Sequence, residues 1–153
     1  MVCANLESDG EGDFGRLVNK FEGGSWGYLF AANASDDLRY IGETDVNSDD
    51  SILDYGTWHH FAITANSGTV IFYRDAVEIG GGTIADNPVT NNNVLSIGNN
   101  QTLNRTADGI LDNIRIWQTD ALTQEEIEEY YLLDFGIDSG GETGPKRRRI
   151  TTQ

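Results

Sequence analysis

The chain has 153 residues, enough for one domain with a real core and too few for two comfortable ones, and its 38% apolar content excludes a disordered chain. Its formal charge is −15, but four of its ten Lys/Arg sit together at Lys146–Arg149, so residues 1–145 set six Lys/Arg against 25 Asp/Glu, a balance of −19 that repels phosphate backbones and excludes nucleic-acid binding by the body. No segment approaches the roughly 20 apolar residues of a membrane-spanning helix, no secretory signal opens the chain, and a single cysteine, Cys3, excludes an intrachain disulfide.

The elements predicted in chain order are short and strand-like. Val2–Leu6 begins abruptly, a turn-rich stretch follows, and Arg16–Phe21 is the second run. In Trp26–Phe30, Trp26, Tyr28 and Phe30 share one face at period two. Leu38–Ile41 precedes a polar loop, Glu43–Asp50. Thr57–Ala65 is the strongest strand: Phe61 and Ile63 point one way, Trp58, His60 and Ala62 the other. Asn66-Ser67-Gly68 then turns the chain into Thr69–Tyr73, a hairpin signal. A Gly-rich bend at Gly80–Gly82 leads to Val94–Ile97, and Gly109–Trp117 is the last strand, with Ile110, Ile114 and Ile116 on one face.

One short helix is predicted. Thr123-Gln124-Glu125-Glu126 is a capping box, in which the Thr hydroxyl accepts from the N3 amide while Glu126 reaches back. Ile127, Tyr130 and Tyr131 follow as one stripe, expected to lie on the edge of the fold. Residues 136–153 read as a Gly-rich linker and basic tail, separate from a domain over residues 1–135. About eight strands at regular turn spacing with one C-terminal helix predict an all-β class, two packed antiparallel sheets in a jelly-roll sandwich.

Trp58-His59-His60-Phe61-Ala62-Ile63-Thr64 followed by Val70–Asp75 resembles the central hairpin of laminin-G-like domains in the concanavalin A-like superfamily. Leu95-Ser96-Ile97-Gly98 is similar to that family's next strand, and Gly109–Trp117 with Ala121-Leu122-Thr123 and Glu126-Ile127 is similar to its closing strand and helix, a signature shared with pentraxins. The resemblance implies a sandwich whose members include lectins, adhesion modules, viral structural proteins and a few hydrolases. Two departures stand out. Asp75-Ala76 replaces the family's usual Asp-Gly, which implies a different turn geometry. Family members usually carry one or two strands ahead of the segment starting at Val2, and the final strand normally pairs there. That edge would fall to the tail at Ile150–Gln153, to a neighbouring subunit or to more of a longer protein, and a homo-oligomer is expected.

The residue chemistry favours recognition. Glucanases of this superfamily carry alternating carboxylates on a strand, whereas Glu125–Glu129 fall on the predicted helix and fan around it. His59 and His60, being adjacent in a strand, point to opposite faces and cannot chelate one ion. Asp45-x-Asn47-x-Asp49 opens like a calcium loop, but Asp50 and Gly56 stand where an EF-hand needs Gly and Glu. The resemblance implies one rim calcium held by carboxylates and carbonyls, with Asp112 matching a common family acid; Asp45, Asp49 and Asp112 are the candidate ligands. Trp26, Tyr28 and Tyr40 are the candidate stacking surface for a sugar, against the plainer reading that they pack in the core. The expectation is a non-catalytic carbohydrate-binding or protein-binding module, extracellular or virion-associated, with a structural or adhesion component of a virion or surface assembly as the alternative and a glycosidase last.

Overall fold

The computed structural model describes residues 1–21, 27–42, 44–49, 51–85, 91–118 and 120–136. One antiparallel sheet holds, in order, β10 (Gly109–Asp112), β1 (Val2–Leu6), β6 (Trp58–Asn66), β7 (Thr69–Arg74) and β8 (Val77–Thr83). The other holds β5 (Asp45–Asn47), β4 (Leu38–Ile41), β3 (Leu29–Ala32), β2 (Arg16–Asn19) and β9 (Ser96–Ile97). Alternation along the strands sends Val2, Ala4, Leu6, Phe61, Val70, Phe72 and Ile79 inward from the first sheet, to meet Val18, Phe30, Ala32, Leu38, Tyr40 and Val46 from the second. Phe30 and Phe72 meet across the layers with ring centroids 6.5 Å apart. This is the predicted all-β, two-sheet sandwich.

Turn chemistry sets the register of the central hairpin. Ser67 (φ 48°) and Gly68 (φ 81°) form the two-residue left-handed turn that matches strand twist, pairing Asn66 with Thr69 and Phe61 with Arg74. The next connection corrects an expectation. Asp75 (φ 51°) and Ala76 (φ 64°) adopt the same left-handed pair although alanine replaces glycine. The Asp75 carboxylate makes this conformation tolerable by accepting from the His60 amide (2.9 Å) and meeting His59 Nδ1 (2.6 Å).

Several other expectations are corrected by packing. Gly80–Gly82 are not a bend but part of β8, where side chains would collide: a Cβ on Gly80 would meet Asp49 Oδ1 at 2.6 Å, one on Gly81 the Val70 carbonyl of β7, and one on Gly82 the facing Val46 Cγ1 at 2.9 Å. The polar loop at 43–50 contains β5, which pairs with β4 from Arg39–Asn47 to Ile41–Asp45. The closing strand stops at Asp112, because Asn113 turns left-handed (φ 49°) with its amide held by Asp112 Oδ1. Leu111 and Ile114 therefore reach the core, while Ile110 and Ile116 are exposed. β10 pairs on one side with β1, Cys3 opposite Asp112 and Leu6 opposite Gly109, and among the described residues its other side is the edge of the sheet, the edge for which a further partner is expected.

Helix α1 (Gln124–Phe135) starts at Thr123 with both capping-box hydrogen bonds and ends at left-handed Gly136. It lies on the outer face of the first sheet and not at its edge, because Ala62, Tyr73 and Ala76 expose a second apolar surface there. Ile127 inserts between them with Met1, flanked by Tyr130 and Tyr131.

Candidate functional site

Beneath the end of α1 lies a buried polar cluster. The register puts Cys3 opposite His60, both facing the helix, and Asp134 descends onto them. Asp134 takes a bidentate pair from Arg115 (2.5 and 2.7 Å), a thiol contact from Cys3 (3.4 Å), and lies 3.9 Å from His60 Nε2. Burial, with the Asp134 charge adding to it, pushes the Cys3 thiol up to about 12. Burial holds the His60 imidazolium down to about 4 against the opposing pull of Asp134. The thiol is thus held protonated and the imidazole neutral, and Arg115 pairs with the carboxylate, so that the cluster latches the end of α1 to the sheet.

The same helix builds an open site on its other flank. Glu126, Glu129, Tyr130 and Leu133 recur at i, i+3, i+4 and i+7, one stripe facing the segment that leads into α1. That segment supplies Trp117, Asp120, Ala121 and Leu122, and the two walls enclose a groove of about 610 Å³. Trp117 and Tyr130 meet with centroids 5.1 Å apart at 57°, and Arg115 lies over the Tyr130 ring at 5.2 Å. Trp117 is 37% exposed and Leu133 68% exposed, so the groove presents open apolar surface beside its acids. Asp120 and Glu129 are exposed acids on its rim. A second, smaller cup of about 400 Å³ lies at one end of the sandwich among Ser8, Gly10, Glu11, Thr106, Ala107 and Asp108. Its polar groups largely satisfy one another: Ser8 donates to Asp108 (2.8 Å), and Thr106 donates to Glu11 through its hydroxyl (3.0 Å).

The residues expected to form a site are not brought together. Tyr40 packs in the core, 3% exposed, and has no ring face for a sugar; Tyr28 is half-buried against the same core. Trp26 lies outside the described residues. Asp45 sits in β5 paired with Arg39, and Asp49 follows beside Gly80. Asp112 lies at the opposite end of the other sheet, where it accepts from the Asn113 amide. Strands β5 and β10 occupy opposite sides of the sandwich, so these three carboxylates do not fit one calcium ion. No group of three potential ligands converges among the described residues. Reading the helix for its buried stripe alone missed Trp117, Asp120, Glu129 and Leu133; the parallel stripe at 126, 129, 130 and 133 carried that signal.

Two five-stranded antiparallel sheets closed over one core, with a helix laid on the outer face of one, define a jelly-roll sandwich domain. The laminin-G-like family model of the concanavalin A-like lectin/glucanases superfamily matches residues 3–128, and the chain belongs to that superfamily. Among curated proteins, none matches the chain.

Proposed function

We propose that this domain is a non-catalytic recognition module of lectin type, with the Trp117–Tyr130 groove as its ligand site. The observation that carries the reading is an exposed indole beside a phenol in a concave surface rimmed by Glu126, Glu129 and Asp120. A sugar places its C–H face on an aromatic ring while carboxylates accept from its hydroxyls, and this groove offers both. Superfamily membership supports the same reading. The latch supports a role without catalysis, since its thiol is held protonated and its imidazole is sealed from solvent. Glycan-array screening followed by titration, with and without calcium, tests the proposal. Binding of at least one glycan, reduced tenfold or more by Trp117→Ala with the thermal midpoint little changed, is the expected result. Absence of binding across neutral and acidic glycans in both conditions would refute it.

A second reading, a structural component that assembles through an open edge, is favoured by the side of the sandwich where β9 and β10 end the two sheets. Val94, Leu95, Ile97, Leu103 and Ile110 are all exposed in and around those strands. Light scattering across the micromolar range tests this reading, with Ile110→Lys expected to dissociate any oligomer; a monomer at every concentration would remove it.

A further inference from the structure

We infer that the groove beside α1 docks the chain's own basic segment, Lys146–Arg149, folded back along the helix. Charge is the first argument. Helix α1 and its approach carry Asp120, Glu125, Glu126, Glu128 and Glu129, with no basic residue in the helix's last turn. Asp134 is matched by Arg115 and Glu126 closes the capping box, but no cation pairs with Asp120 or Glu129 among the described residues. The cations elsewhere in the body are engaged: Arg39 with Asp45, Arg74 with the Ile52 carbonyl, Arg105 with Gly12, Lys20 with Asn93 and Arg16 with Asn19. Lys146–Arg149 is the remaining block of positive charge in a chain whose other residues sum to −19.

Surface chemistry is the second argument. An open indole and a phenol on the groove floor suit guanidinium groups, and Arg115 already shows that geometry over Tyr130. Geometry of the chain is the third. Lys146 follows the helix cap Gly136 by ten residues, which span up to about 33 Å when extended, whereas twelve helical residues rise only about 18 Å. The segment can therefore reach every acid on the groove from its own helix end, at the millimolar-range effective concentration that a short tether gives. A cationic segment there also complements the partial negative charge of the helix C-terminus. The docking stands whether or not a glycan uses the same groove.

The test uses the 153-residue chain with a nitroxide on Thr152→Cys in a Cys3→Ala background and reads paramagnetic broadening of backbone amides. Broadening centred on Leu122, Glu129 and Leu133 at low salt is expected. It should fall several-fold at about 0.5 M salt, where the Debye length shrinks to a few ångströms, and likewise in Glu129→Lys, whose amide spectrum otherwise superimposes. Isotope-labelled chain mixed with spin-labelled, isotope-free chain should show none. No broadening at low salt, broadening indifferent to Glu129→Lys, or broadening between chains in the mixture would each overturn intramolecular docking. Glycan binding enters none of these readouts, so failure here and failure of the lectin reading remain distinguishable.

Discussion

Replacing His60 with phenylalanine isolates the pH dependence that the helix-covered face imposes on folding. His60 is fully buried, its ring 6.0 Å from that of Tyr131, and neither ring nitrogen has a hydrogen-bond partner among the described residues. Its folded pKa, lowered from 6.5 to about 4 by burial, means that between these values the unfolded chain binds a proton that the folded chain refuses. Stability from this group is therefore present above pH 6.5 and is lost as pH falls through the window down to about 4. At about 1.4 kcal/mol per pH unit, the loss relative to pH 7 is about 2 kcal/mol at pH 5 and about 3 kcal/mol at pH 4. Urea unfolding at pH 7, 6, 5 and 4 measures it, and the difference between wild type and His60→Phe cancels the titration of the carboxylates common to both. The variant is expected to equal or exceed wild type at pH 7, because two unpaired buried nitrogens disappear, and to gain on it by the stated amounts as pH falls. Parallel curves for the two proteins from pH 6.5 to 4 would refute the placement of this ring in a dry site.

Two further substitutions probe the close approach of the sheets and the helix latch. Gly80→Ala should cost at least about 2 kcal/mol, since both its φ of +99° and the facing Asp49 oppose a side chain, while Gly56→Ala, at φ +76° in open space, should cost about 1 kcal/mol; equal losses in denaturant unfolding would count against the tight β5–β8 contact. Asp134→Ala should destabilise by about 3 kcal/mol, because it strands the Arg115 charge and frees the end of α1. The same variant should accelerate labelling of Cys3 by a thiol reagent at neutral pH, and an unchanged labelling rate would show that Asp134 does not guard the thiol.

The central hairpin, the capping box and the outward or inward sense of residues along β6 were legible in the sequence. Each is a local matter: period-two alternation, a Ser-Gly turn and a Thr-x-x-Glu cap act within a few residues of chain. Tyr40 and Tyr28 show where local reading stops, because an aromatic in a strand looks the same whether its face meets water or packs into the core beside a neighbouring strand, as Tyr40 does beside Val46. β8 was hidden for a related reason: its glycines read as a bend until the neighbours packed against them, Asp49, Val46 and the β7 backbone, explain why nothing larger fits.

Composition and local pattern by themselves determined that this acidic chain folds as a strand-rich sandwich with one capped helix, because burial of alternating apolar residues leaves few other solutions. The tertiary structure alone decided which face that helix covers, that Asp134 closes over Cys3 and His60, and that Trp117 and Tyr130 share a groove. Those outcomes join residues a dozen to more than a hundred positions apart, and only packing of the whole chain sets such distances.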